Sequence, residues 1–366
     1  MNHLCIVFPS FQAGGAEKVG VDLANAFYSQ GIVITVLVFL CEGPLRNRLN
    51  PSVNVVSLNT SARSPVRFLA KTLRQVKPDV VLSMYRKINA LVGLSRYWFK
   101  DYRWVAREAN SFDDIKGKNS LRRLKNILKL RVAYRQADAL ISNTRGAMTD
   151  IRRWGLFADD RMHFVPNPYD FVWIQQRREA PPQHPWFDAN SRMQMVLSIG
   201  RLHSQKNHHL LLEAFAQVLP QIPNAHLVIV GEGPLKESLL RRIDALELSA
   251  KVSLVGYQEN VYQWLNRAQL FVLCSNREGF PNVLVEALAC GVSVVATNCP
   301  GETAHILQHG LLGTLVPTND VKSLSAALVD QLITPLNWQQ AYPNALNAFS
   351  ADQVLLDYMQ ILNVPT

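Results

Sequence analysis

Residues 194–207 read QMVLSIGRLHSQKN, and the order of residue types in that stretch decides the fold. Gln194–Ile199 is a short apolar run of strand length, Gly200 ends it, and a polar turn follows. The apolar spacing then predicts an amphipathic helix over Asn207–Leu219. The same sequence of strand, turn and helix recurs outward in both directions. Downstream, strands are predicted at His226–Val230, Lys251–Val255, Leu270–Leu273, Ser293–Ala296 and Gly313–Val316. Helices are predicted over Leu235–Leu246 and Pro281–Cys290, with two final ones near 320–332 and 337–362. Upstream, strands are predicted at Leu4–Phe8, Ile32–Phe39, Val53–Leu58, Val80–Ser83, Arg103–Arg107, Ala139–Ser142 and His163–Val165. A first helix from about Ala16 to Gln30 is stopped by Gly31. This alternation implies an α/β fold with parallel, doubly wound sheets.

At 366 residues the chain exceeds the size at which single cores stop growing, so two domains are expected. Asn167-Pro168 and the stretch EAPPQHP (179–185) cannot continue a helix or a central strand. The reading is therefore an N-terminal domain over 1–167, a linker over 168–192 and a C-terminal domain over 193–366. The last helix is free to pack back on the N-terminal domain. Charged residues make up 18% and hydrophobic ones 48%, which fits packed domains and excludes disorder. No uninterrupted apolar stretch reaches 18 residues, and Leu4–Phe8 is too short and lacks the basic flank of a signal peptide. A cytoplasmic protein is expected. The five cysteines form no C-x-x-C pair and read as small buried hydrophobes in a reducing compartment.

Charge is unevenly spread. Residues 1–175 carry 26 Lys and Arg against 13 Asp and Glu, and residues 176–366 carry 12 against 15. The first half is thus directed at something anionic. Eight of its cations lie between Lys116 and Arg135, a stretch without an acid, among them Arg122, Arg123, Lys125 and Lys129. Leu121, Leu124 and Leu128 recur at helical spacing within it. A solvated helix packed on the sheet is one reading; contact with an anionic membrane surface is the other. Nucleic acid fits less well, because no stacking aromatics accompany the charges.

In doubly wound sheets ligands sit beyond the carboxyl ends of strands, at helix N-termini, so the strand-to-helix turns carry the chemistry. After the first strand comes FQAGGAE (11–17), where Gly14 and Gly15 let a phosphate approach backbone N–H groups. The G-x-G-x-x-G of a dinucleotide fold is absent. The turn 200–207 carries Arg201 and Lys206, a planar fork and a point charge suited to a diphosphate. His203, His208 and His209 lie nearby but lack the carboxylate and spacing of a metal site. The third stretch, REGFPNVLVEALACG (277–291), sets Glu278 at a turn and Glu286 two helical turns on, with Pro281 at the first helical position. Glu286 can accept ribose hydroxyls, and Glu278 can accept hydroxyls of a sugar.

These turns together resemble the retaining glycosyltransferases of family 4, built on the GT-B fold of two Rossmann-like domains facing across a cleft. The resemblance covers essentially the whole chain and rests on GGAE (14–17), VPNP (165–168), GRL…KN (200–207), VGEGPL (230–235), the E-x7-E string Glu278…Glu286, and G-x-L-V-P (313–317). It implies that Gly14, Gly15, Arg201 and Lys206 hold the diphosphate of a nucleotide-sugar, usually a UDP-sugar, which is a substrate and not a cofactor. It further implies that Glu286 binds the ribose, that Glu278 with Gly279, Phe280, Pro281, Asn282 and Val283 holds the transferred sugar, and that Gly256-Tyr257 receives the base. Catalysis would then fall to Glu278, Arg201 and Lys206.

One departure stands out: many members carry a histidine after the fourth strand, and here that segment is SMYRKIN (83–89), leaving Tyr85 and Asn89 as acceptor or reaction-centre candidates. No Asp-x-Asp occurs, so no metal is expected, and leaving-group charge would be met by side chains and helix ends. The acceptor implied is a glycan or a polyprenyl-diphosphate-linked sugar, and the place is the inner face of the cell membrane during lipopolysaccharide or capsule synthesis. A nucleotide-sugar epimerase of similar fold, releasing UDP without an acceptor, and a non-catalytic nucleotide-sugar-binding protein are the alternatives.

Overall fold

The computed structural model describes residues 2–12, 14–58, 65–109, 120–179 and 193–364. The chain forms two units: Met1–Tyr169 together with Phe349–Thr366, and Asp170–Ala348.

The first unit is built on a parallel sheet of β1 (His3–Ser10), β2 (Val33–Leu40), β3 (Asn54–Ser57), β4 (Val80–Met84), β5 (Arg103–Glu108), β6 (Ala139–Ser142) and β7 (Met162–Phe164). Its order is β3-β2-β1-β4-β5-β6-β7. Helices α1 (Gly15–Ser29), α2 (Pro65–Val76), α3 (Arg86–Ser95), α4 (Ser120–Tyr134) and α5 (Arg145–Arg153) connect the strands. Alternate residues of β1 enter different cores, Leu4, Ile6 and Phe8 with α1, and Cys5 and Val7 with α2 to α5. Both faces of the strand are covered, which is why it reads as an unbroken apolar run.

The second unit repeats the plan. After α6 (Phe171–Arg178) come β8 (Gln194–Ile199), α7 (His208–Val218), β9 (Ala225–Val230), α8 (Lys236–Ala245), β10 (Val252–Leu254), β11 (Leu270–Leu273), α9 (Asn282–Ala289), β12 (Ser293–Thr297), β13 (Thr314–Val316) and α10 (Val321–Ile333). The strand order is β10-β9-β8-β11-β12-β13, again parallel. Each sheet reverses its winding once, between β1 and β4 and between β8 and β11, and these are the positions where such sheets bind ligands.

Two expectations need correction. The segment expected as a linker from 168 begins instead with α6, capped by Asp170, whose side chain accepts from the Trp173 N–H at 2.8 Å. Gln175 and Arg178 then donate to the carbonyls of Ala289 and Cys290, which ties α6 to the end of α9. The rest of the expected linker, 180–192, lies outside the described residues. The second correction concerns the helix expected over 337–362. It is broken into a short turn at Trp338–Ala341 and α11 (Ala351–Leu362), because Pro343 cannot continue a helix and Ser350 caps a new one. The second unit ends at Ala348, and α11 packs within the first. Its Val354, Tyr358 and Leu362 are buried among Leu4, Phe8 and Phe27, and the Tyr358 hydroxyl accepts from the fully buried Arg107 Nε at 2.8 Å.

Candidate active site

At the switch point of the second unit, the β8–α7 and β11–α9 turns meet. β8 lies between β9 and β11 in the sheet, and Gly231, at φ +139°, lets the β9 turn pass so close that a Cβ there would strike the Gly200 carbonyl. Lys206 reaches across to Glu278, Nζ to Oε1 at 2.6 Å. The backbone aims the pair: Asn276 N–H donates to the Gln205 carbonyl at 2.8 Å, and Glu278 N–H donates to the Pro300 carbonyl at 2.9 Å. Gly301, at φ +127°, packs where a Cβ would strike the Glu278 carbonyl. The Glu278 side chain is 7% exposed, and its Oε2 has no hydrogen-bond partner among the described residues. Arg201 is exposed on the same turn and has no ion-pair partner among the described residues.

The residues after Glu278 line the approach to α9. Pro281 is the N-cap and not the first helical residue; its carbonyl accepts from the Leu284 N–H at 3.0 Å, so α9 starts at Asn282. Gly279, Phe280, Asn282 and Val283 keep part of their surface accessible, whereas Pro281 is buried. Glu286, on the second turn of α9, accepts from the Tyr262 hydroxyl at 3.2 Å. Gly256 adopts φ +72° and its carbonyl accepts from the Gly231 N–H at 2.8 Å, with Tyr257 exposed beside it. His208, the first residue of α7, is buried, and burial with the neighbouring Lys206 charge lowers its pKa to about 4. His208 therefore acts as neutral packing. Burial likewise pushes the thiols of Cys274 and Cys290 up to about 12, which leaves them inert.

At the switch point of the first unit, Gly14 is the N-cap of α1 and Glu17 lies in its first turn. Glu17 is 8% exposed, and its carboxyl folds back against Gly14, where a Cβ would collide with it. The Tyr85 hydroxyl donates to that carboxylate. Tyr85 caps α3 at φ +78°, a conformation costing on the order of 1 kcal/mol for a residue with a Cβ. Burial first, and then Glu17, holds its phenol protonated well above the usual range. Asn89 lies deeper. It is fully buried, accepts from Ser83 Oγ at 2.7 Å and donates to the Arg107 carbonyl at 3.0 Å and to Glu108 at 3.1 Å. Of the two reaction-centre candidates, Tyr85 alone keeps accessible surface.

The basic stretch forms α4 from Ser120; Lys116 and Lys118 lie outside the described residues. Leu130, Ala133 and Tyr134 pack into the core, so the buried face is not the stripe read from the sequence. Leu124, Leu128 and Val132, one turn apart, are instead 53%, 51% and 42% exposed among Arg122, Arg123, Lys125, Lys129 and Arg131.

Sequence reading missed Ser275, Tyr262 and Glu17. Ser275, three residues before Glu278 at the end of β11, donates to Glu278 Oε1 at 2.5 Å. Its place at a strand end was a usable signal. Tyr262 lies in a short helix with no motif, so nothing in its neighbourhood pointed to Glu286.

Residues 13–172 match the sequence model of Glycosyltransferase Family 4, and residues 182–342 match that of glycosyl transferases group 1. The chain belongs to glycosyltransferase family 4 and has the GT-B architecture of two Rossmann-like domains. It is 29% identical over 343 residues to the Campylobacter jejuni N-acetylgalactosamine-N,N'-diacetylbacillosaminyl-diphospho-undecaprenol 4-alpha-N-acetylgalactosaminyltransferase, covering 91% of this chain and 90% of that one. It is 23% identical to the lipopolysaccharide core biosynthesis glycosyltransferase LpsE of Rhizobium meliloti, over 95% and 96% of the two chains. The fold is that of the Anabaena protein HepE, solved with UDP, at a TM-score of 0.80, 20% identity and full coverage of both chains.

Proposed function

We propose that this glycosyltransferase moves a hexosyl or N-acetylhexosaminyl group from a UDP-sugar, with retention, to a hydroxyl of a glycan or polyprenyl-diphosphate-linked acceptor in cell-surface polysaccharide synthesis. The observation that carries the donor half is the Lys206–Glu278 pair at the switch point, with Glu278 Oε2 open. Lys206 exchanges its carboxylate partner for the diphosphate, and Arg201 adds a second cation. In the reaction the bond from the sugar C1 to the phosphate oxygen breaks, and its electron pair stays on that oxygen. The acceptor oxygen bonds to C1 on the same face, and its proton passes to the leaving phosphate. Lys206, Arg201 and the α9 N-terminus meet the charge that develops, so no divalent metal is required. Glu286 holds the ribose, with Tyr262 keeping its carboxylate oriented.

The test is calorimetric. UDP should bind the native protein, and Glu286→Ala should weaken it about tenfold to a hundredfold, the loss of charge-assisted hydrogen bonds. Equal affinity in a folded Glu286→Ala protein sinks the ribose assignment.

For the acceptor half, the C. jejuni relative acts by its name on a diphospho-undecaprenol substrate. The exposed leucines of α4, set among cations, suit an anionic lipid surface. On the same face of the sheet, Phe68, Tyr97 and Trp98 are also exposed, beside Arg67, Arg74 and Lys100. Among the described residues no helix is long and apolar enough to cross a membrane, so attachment would be peripheral. Replacing Arg122, Arg123, Lys125 and Lys129 by Glu should abolish co-sedimentation with phosphatidylglycerol vesicles, at about 1 kcal/mol per cation, and leave UDP affinity unchanged. A variant that pellets like the native protein removes the membrane from this reading.

A further inference from the structure

Glu278 takes two hydrogen bonds on one oxygen. Lys206 Nζ lies 2.6 Å from Oε1 and Ser275 Oγ lies 2.5 Å from the same atom. The two donors differ in freedom. Lys206 stands on a flexible four-carbon stem and is partly exposed, so a diphosphate can draw it away. Ser275 cannot follow. It is fully buried, its carbonyl accepts from Thr297 Oγ1 at 2.6 Å, and the next residue is tied to the β8–α7 turn through Gln205. Its hydroxyl is a short side chain on a backbone fixed at the ends of β11 and β12.

The geometry points to Ser275 as a positioning residue for the donor sugar. When Lys206 leaves for the diphosphate, Ser275 keeps Oε1 anchored and Oε2 presented, ready to accept from a hydroxyl of the transferred sugar. Ser275 touches neither nucleotide nor sugar and acts through Glu278. Without it, the carboxylate is held only by the lysine and is dragged or released when the lysine moves. The inference rests on the donor reading above and adds a division of labour within it: one glutamate oxygen is kept by the protein and the other given to the substrate.

The test compares the native protein with Ser275→Ala and Ser275→Cys. Cysteine fills the volume of the serine, but its thiol is a weak donor. Two quantities are read: UDP affinity by calorimetry, and the rate of UDP release from UDP-N-acetylgalactosamine and UDP-glucose. UDP lacks the sugar, so both variants should bind it within about twofold of the native protein. Release from the sugar donor that the native protein accepts should fall about tenfold to a hundredfold in both, the size of a lost hydrogen bond to a charged group. Native-like release by Ser275→Cys would show that only volume matters and overturn the proposal, as would a parallel loss of UDP affinity in Ser275→Ala. A native protein that binds no UDP takes the donor reading and this inference down together. UDP binding with unchanged release in both variants sinks the serine assignment alone.

Discussion

Both sheets reverse their winding once, and at each reversal a carboxylate bridges the two turns, yet the two bridges are chemically opposite. In the first unit Glu17 closes on a neutral phenol, Tyr85, and lies against the N-terminus of α1. The helix end that would attract an anion already has the chain's own. In the second unit Glu278 is met by an ammonium and a hydroxyl on one oxygen and keeps the other open. The same topology thus gives one switch point whose carboxylate is met by a neutral phenol and one whose carboxylate is met by a cation and keeps an oxygen open. Position in the fold nominates a site, and the partner of the carboxylate decides whether the site is open. For Gly14 and Gly15 to receive a diphosphate, as the family resemblance implies, Glu17 has to swing off the helix end.

The contrast can be broken most sharply at Lys206. Lys206→Ala should lower the rate of UDP release at saturating donor by about a hundred- to a thousandfold, the usual loss when a charge-stabilising donor is removed. A loss under tenfold would place that stabilisation elsewhere. His208 reports, more gently, the burial of the same turn and, to a lesser degree, the charge of Lys206. Its folded pKa, about 4 against the usual 6.5, means that the unfolded chain takes up a proton between those values while the folded one does not. Stability should therefore fall as pH drops from about 6.5 toward 4, by at most about 3 kcal/mol, and level off below. Urea unfolding at pH 7 and pH 4.5 checks this, and His208→Gln should flatten the difference; an unchanged slope shows that another group is responsible. The smallest effect belongs to the first unit. Glu17→Gln keeps a hydrogen-bond acceptor for Tyr85, so stability should drop by about 1 kcal/mol and UDP release stay within about threefold. Collapse of turnover in that variant would make the Glu17–Tyr85 bridge part of the chemistry and erase the comparison.

The fold was legible because both faces of each sheet are covered: runs such as LCIVF and VLSI have nowhere to go but a buried parallel strand. Of the candidate site, the sequence made legible the charged residues at strand-to-helix turns, such as Lys206 and Glu278, which the structure brings together. The site was not legible where the role depends on a partner distant in sequence. Glu17 and Tyr85 are separated by 68 residues, and neither carries a sign of the other. The face of α4 was left open for a related reason. Leucines at helical spacing mark a stripe, but only packing against α3 decides whether that stripe or the one bearing Leu130 and Tyr134 turns inward. The start of α6 was hidden by the proline signals that follow it, which outweighed one aspartate cap.

The first unit is made from two stretches of chain with the whole of the second unit between them. Vectorial synthesis therefore finishes the second unit before α11 exists. Until then Arg107, a buried guanidinium whose partners are the neutral Tyr358 and Asn167, lacks one of the two groups that hold it. An emerging chain thus carries a finished second unit ahead of an uncapped first one, which is completed when the twelve-residue α11 docks beside β1.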